Sequence, residues 1–121
     1  MNQEIKEVNP ATAFEKIQNG ALLVDIREAE EIEMVAFDTK EQMLLPHSEF
    51  SYRFLEVPKD REVILGCNSG TRSRIATLFL IEQNFDNVYN LKGGITDWIS
   101  LEFPVKWDNY KTENNLQVHK I

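Results

Sequence analysis

The chain contains one cysteine, Cys67, in the run Val63-Ile64-Leu65-Gly66-Cys67-Asn68-Ser69-Gly70-Thr71-Arg72-Ser73. An apolar strand delivers the thiol to its C-terminal end, small residues follow, and Arg72 opens a helix. In open α/β sheets that end of the strands is where ligands bind. Small residues let successive backbone N–H groups curl around one point as an anion-binding nest, and the positive end of the following helix adds to the field. A thiol held there is a stronger acid than free cysteine, whose pKa of ~8.5 falls toward ~3.5–7.5 beside helix N-termini and arginines. The thiolate is the nucleophile, so covalent chemistry at neutral pH is expected. The same donors suit the terminal sulfur of a persulfide or an oxyanion such as thiosulfate. Gly70 is expected to take a positive φ or to let the loop close tightly. A cysteine that merely fills a core needs none of these polar neighbours.

The remaining chemistry-bearing residues narrow the field. A lone cysteine forms no intramolecular disulfide, and His47 and His119 have no partner at ligand spacing, so no metal site is expected. Twenty acidic residues against thirteen basic give a net charge of -7. That balance favours solubility and disfavours non-specific nucleic-acid binding, while Arg27, Arg53, Arg72 and Arg74 leave room for a local basic pocket. The apolar stretches fall well short of the ~20 residues that span a bilayer. The N-terminus lacks the basic start and apolar run of a signal peptide. With a lone cysteine, these features lead us to expect a cytoplasmic protein with no membrane partner.

The elements that must position Cys67 are readable in outline. Ile5 to Val8 predicts a short strand, followed by a helix with Asn9 as cap, Pro10 at its first position and Phe14 and Ile17 on its apolar side. Asn19-Gly20 ends it. Ala21 to Ile26 is a near-continuous apolar run, the pattern of a strand buried on both faces. Glu28 to Glu33 predicts a short surface helix, its acidic residues a solvated face. Gln42 to Leu45 predicts a strand ending at Pro46, and Ser48 to Leu55 a Ser-capped helix. Val63 to Leu65 is the next buried strand. From Arg72 to Asn84, the residues Ile75, Leu78, Phe79 and Ile81, with Ala76, predict a strongly apolar helix. A strand over Asn87 to Leu91, a Gly93-Gly94 break and a helix carrying Trp98 follow. The expected architecture is α/β, with a central, mostly parallel sheet flanked by helices on both faces. We expect one domain over residues 1–121, its core about 4–106, and a polar tail over 107–121.

The cysteine loop Cys67 to Ser73 resembles the active-site loop of the rhodanese family of sulfurtransferases. Leu22-Leu23-Val24-Asp25-Ile26-Arg27-Glu28 resembles the family's Asp-Val-Arg segment, and Val88 to Ile95, with Trp98, its late strand, glycine turn and tryptophan helix. The segments occur in family order over roughly residues 4 to 106. The chain departs at Phe37 to Gln42, where the family carries a Gly-His-Ile-x-Gly-Ala type segment; only Leu44-Leu45-Pro46 looks familiar. Four residues separate Cys67 from Arg72, whereas phosphatases and arsenate reductases of this fold carry a longer loop that admits a tetrahedral oxyanion.

The resemblance implies a three-layer rhodanese-like fold and a double displacement in which Cys67 takes sulfur from a donor such as thiosulfate. Cys67 then yields it to cyanide or a thiol, without metal or organic cofactor. Backbone N–H groups from Asn68 to Ser73 would stabilise the sulfur, with Arg72 attracting an anionic donor. Side chains of Asn68, Ser69 and Thr71 would add hydrogen bonds. Asp25 and Arg27 would form an ion pair that braces the site. The alternatives are a protein-to-protein sulfur relay and a non-catalytic binding module. Trp98 reads as core and His47 as exposed loop. Trp107 and Tyr110 would cover an edge or anchor the tail, and Arg74 lies one residue past the cradle.

Overall fold

The computed structural model describes residues 5–108. Along the chain run β1 (Glu7–Val8), α1 (Pro10–Gln18), β2 (Leu22–Asp25), α2 (Ala29–Met34), β3 (Val35–Phe37) and β4 (Gln42–Leu44). After them come α3 (Phe50–Arg53) with a 3-10 turn on either side, β5 (Val63–Gly66), α4 (Thr71–Glu82), β6 (Val88–Leu91), α5 (Gly94–Ser100) and β7 (Val105–Trp107). Five strands form a parallel sheet in the order β1-β6-β5-β2-β4, and β3 pairs antiparallel with β7 in a separate ribbon.

The two apolar runs lie at the centre of the sheet, and every residue of β2 and β5 is buried. Side chains alternate across a strand, so each run feeds two cores. Leu22, Val24, Ile26, Val63, Leu65 and Cys67 face Ala76 and Leu80 of α4 and Phe50 of α3. Leu23 and Ile64 face the opposite way, onto Ala13 and Ile17 of α1 and Ile95 and Trp98 of α5. The register sets Asp25 beside Gly66, immediately before Cys67, and Leu65 beside Asn90. The residues of the site are thereby brought to one edge.

Local signals explain most boundaries. The side chain of Asn9 caps α1 by accepting from the N–H of Thr12 at 2.8 Å, with Pro10 at its start. Glu28 and Glu31 form a reciprocal capping box at the start of α2.

Three expectations are corrected. Ser48 does not cap a continuous helix: it lies inside the 3-10 turn His47–Glu49, and its N–H and hydroxyl both donate to the Glu28 carboxylate at 2.9 and 2.8 Å. On α4, Ala76 is buried and Phe79 and Ile81 pack partly buried against the core as expected, but the buried face is completed by Ser73, Thr77 and Leu80, while Ile75 is 59% exposed. Trp107 does not begin a tail; it ends β7, opposite Val35. The rest of that predicted tail from residue 109, with Tyr110 and His119, lies outside the described residues.

Candidate active site

Cys67 follows the last residue of β5 and is 1% exposed. Its Sγ accepts from the N–H of Gly70 at 3.1 Å, from the N–H of Ser73 at 3.4 Å and from the Ser73 hydroxyl at 3.3 Å. The chain turns so sharply because Gly70 adopts φ +100° at the N-cap of α4, a conformation that side-chain-bearing residues rarely hold. A glycine cap offers no side-chain acceptor to the orphan N–H groups of the first helical turn, and the cysteine sulfur fills that role. Burial pushes the Cys67 thiol up, but the Ser73 hydroxyl and the N–H groups of Ser73, Gly70 and Ser69 outweigh it, leaving the pKa below that of an ordinary cysteine.

The N–H groups turn inward because the carbonyls are held outside. Cys67 O accepts from the N–H of Ile95 at 2.9 Å, and Asn68 O from the N–H and hydroxyl of Thr96 at 3.1 and 2.9 Å. The first turn of α5 thus clamps the loop from behind. A Cβ at Gly94, where φ is +58°, would lie 2.5 Å from both carbonyl oxygens. We expect Gly94→Ala to cost roughly 2–4 kcal/mol from left-handed strain and backbone overlap and to weaken activity by displacing the loop. Gly20→Ala has open space around its Cβ and serves as the control with strain but no overlap. Urea midpoints and turnover of the two variants check this.

Of the predicted site residues, the structure gathers Cys67, Gly70 and Ser73 around the sulfur. Asn68, Ser69 and Thr71 are exposed, and no side-chain hydrogen bond joins any of them to Sγ. Arg72 turns to α2, donating to both carboxylate oxygens of Glu31 at 2.8 and 2.6 Å, while its charge still acts on Cys67. Glu31 therefore does not belong to a merely solvated face. Arg74 is exposed beside the loop, in an open cavity of about 570 Å³ that Lys92 and Asn90 also line.

Hydrogen bonds from Arg72 hold the Glu31 carboxyl at about 2, from an ordinary 4.5, against a smaller opposing effect of burial. The sign follows from linkage: the stabilisation is complete above the ordinary value and is lost as pH falls through about 2. Acid unfolding of the wild type followed by circular dichroism should contain this component, and Glu31→Gln should lack it.

Asp25 ends β2, and Arg27 lies two residues further along the chain. The Arg27 guanidinium donates to Asp25 Oδ1 and Oδ2 at 3.1 and 2.8 Å and to the Val35 carbonyl at 2.9 Å. It is 2% exposed, and Gly66, beside Asp25 in the sheet, leads directly into Cys67. Asn90 is a site residue that sequence reasoning missed: its Oδ1 takes the Ser73 hydroxyl at 2.6 Å. The only sequence signal was a polar residue within an otherwise buried strand. No group of three or more His, Cys, Asp and Glu that could hold a metal occurs among the described residues.

A model of the rhodanese-like domain family matches residues 9–101. The chain is 37% identical over 110 residues to the thiosulfate sulfurtransferase GlpE of Glaesserella parasuis, covering 88% of this chain and 97% of that protein. It superposes on a rhodanese-related protein from Thermoplasma volcanium with a TM-score of 0.76 at 27% identity, over 84% of this chain and 97% of the other. It also matches 16% of an NAD-dependent persulfide reductase from A. fulgidus, over 78% of this chain, with a TM-score of 0.64 and 28% identity.

Proposed function

Because the chain belongs to the rhodanese-like domain family, we propose that it moves a sulfane sulfur from a donor such as thiosulfate to cyanide or a thiol through a persulfide on Cys67. It is a sulfurtransferase of rhodanese type. The observation that carries this reading is the convergence of the Gly70 N–H, the Ser73 N–H and the Ser73 hydroxyl on one sulfur at the start of α4. Those donors favour an anion on that atom.

The steps follow from the nucleophile. The Cys67 thiolate attacks the outer sulfur of thiosulfate, the donor's S–S bond breaks, and sulfite leaves with the electron pair. The product, Cys67–S–S⁻, keeps its negative charge within reach of the loop donors. Cyanide then attacks the terminal sulfur, the second S–S bond breaks, thiocyanate departs and the Cys67 thiolate returns. No redox partner enters this cycle. Asp25 and Arg27 are positioning residues in this reading, bracing the strand ends. A reducing compartment such as the cytoplasm suits a site whose one thiol must stay reduced to work.

Intact-protein mass after incubation with thiosulfate tests the proposal. A gain of one sulfur atom, reversed by cyanide, supports it; no gain with thiosulfate or a protein persulfide returns the fold to the reading of a binding module.

Glu31 supports a second reading of the donor. With both carboxylate oxygens on Arg72, part of the positive field at the loop is offset by Glu31, which favours a protein-borne persulfide over a small dianion. Glu31→Gln is expected to release Arg72 and lower the KM for thiosulfate roughly threefold to tenfold, the effect of about 1 kcal/mol of added attraction, with little change in kcat. An unchanged KM would remove Arg72 from donor binding.

A further inference from the structure

Ser73 has one hydroxyl proton and two acceptors within reach. Asn90 Oδ1 lies at 2.6 Å and Cys67 Sγ at 3.3 Å. A hydroxyl donates once, so the two contacts compete for one proton, and the charge on the sulfur decides between them. The amide of Asn90 is not free to turn. Its Nδ2 donates to Glu7 Oε2 at 2.8 Å and to the Gly70 carbonyl at 3.3 Å, which fixes Oδ1 toward Ser73. Ser73 and Asn90 are 0% and 1% exposed, so both bonds lie almost wholly out of bulk water.

We propose that Asn90 is a positioning residue for Cys67, resting on the reading of Cys67 as the nucleophile. It holds the Ser73 proton while the sulfur is a neutral thiol and gives it up when negative charge forms there. In the thiol state Cys67 S–H donates to Ser73 Oγ, and Ser73 donates to Asn90. When the thiol proton leaves for solvent, the Ser73 hydroxyl rotates to Sγ, and Asn90 Oδ1 loses its donor. The S–H bond alone breaks, its electron pair staying on sulfur and its proton going to solvent; the Ser73 O–H bond stays intact as the hydroxyl turns. Asn90 therefore opposes ionisation of the thiol, while Ser73 supports it. The Ser73 hydroxyl turns back to Asn90 Oδ1 whenever the sulfur becomes neutral or alkylated.

The charged groups around this corner come from several elements. Glu7 on β1 holds the Asn90 amide. Arg72 on α4 acts on Cys67, and Glu31 on α2 pairs with Arg72. Arg74, Lys92 and Asp97 line the adjoining cavity with Asn90. Deleting the Asn90 amide leaves Glu7 exposed to water, and the Gly70 carbonyl keeps its helix bond from Arg74 N–H at 3.1 Å.

The test is the thiol pKa, read from the pH dependence of iodoacetamide alkylation in the full chain. Asn90→Leu removes the competing acceptor and should lower that pKa by about one unit. Asn90→Asp strengthens the acceptor, adds charge and should raise it. In a Ser73→Ala background the Asn90→Leu shift should collapse. Opposite signs for Leu and Asp would not arise from loosened packing, and Asn90→Asp keeps the test alive if the leucine variant does not fold. An unchanged or raised pKa in Asn90→Leu, or an equal shift without the Ser73 hydroxyl, overturns the proposal. The alkylation assay needs no sulfur transfer, so failure here is separable from failure of thiosulfate to load Cys67.

Discussion

Cys67→Ser is expected to abolish sulfur loading and to reduce thiosulfate:cyanide turnover on the order of 10⁴-fold or more, as removal of a covalent nucleophile does. The fold should survive. Serine Oγ is also a hydrogen-bond acceptor, so it can still take the N–H groups of Gly70 and Ser73 that Sγ takes at 3.1 and 3.4 Å, and the swap removes little volume from a well-packed site. What disappears is the polarisable atom that attacks sulfur. Three readings separate the outcomes: melting temperature, mass after thiosulfate, and turnover. An unchanged melting temperature with no added sulfur and no turnover places the chemistry on Cys67. Sulfur loading that persists in the variant would move it elsewhere, although the chain has no other cysteine to take over. A companion measurement on the wild type is the pH dependence of alkylation, whose midpoint should fall below that of a free thiol because the loop donors outweigh burial.

Arg27→Met should be the most destabilising of the substitutions considered, at about 3–5 kcal/mol, the usual cost of removing one member of a buried ion pair. Asp25 would keep a carboxylate in an almost fully buried position with its guanidinium partner gone. The Val35 carbonyl would also lose its donor at 2.9 Å. For a domain of this size, whose total stability is of order 5–15 kcal/mol, that is a large share. Urea denaturation should show a lower midpoint with an unchanged slope. The double variant Asp25→Leu/Arg27→Met should recover part of the loss, because it leaves no orphaned charge; the two single effects would then fail to add. Equal stability of Arg27→Met and wild type would mean that the pair contributes nothing to the fold.

The legible parts of this molecule were those set by short-range rules. The runs Ala21 to Ile26 and Val63 to Leu65 are too apolar to be anything but central strands, and the Asn9-Pro10 helix start depends only on its neighbours. The loop after Cys67 was legible because glycine and small residues are needed where backbone amides crowd one atom. Long-range pairing was not. β3 and β7 are three residues each, and only their meeting across the fold makes Val35 and Trp107 partners. The face of α4 was misread in part, for a different reason. Apolar periodicity favoured Ile75, but the sulfur fixes Ser73 inward, and a 3.6-residue repeat from Ser73 selects Ala76, Thr77 and Leu80. The chemistry of the first turn overrode the hydrophobic pattern of the rest. Glu31 and Asn90 were invisible for a related reason: a carboxylate in an acidic run and an amide in a strand reveal their partners only in three dimensions.

The use of a sulfur atom as the cap of α4 makes the state of that sulfur a property of the helix. Adding a sulfane sulfur moves the negative charge outward along the Cys67 side chain, and blocking the thiol removes it. In either case the amide protons of Gly70 and Ser73 experience a changed acceptor. Those two protons are resident reporters of loading, readable by their chemical shifts and exchange rates without any added label. The enzyme's working cycle is then a sequence of alternately strengthened and weakened helix ends.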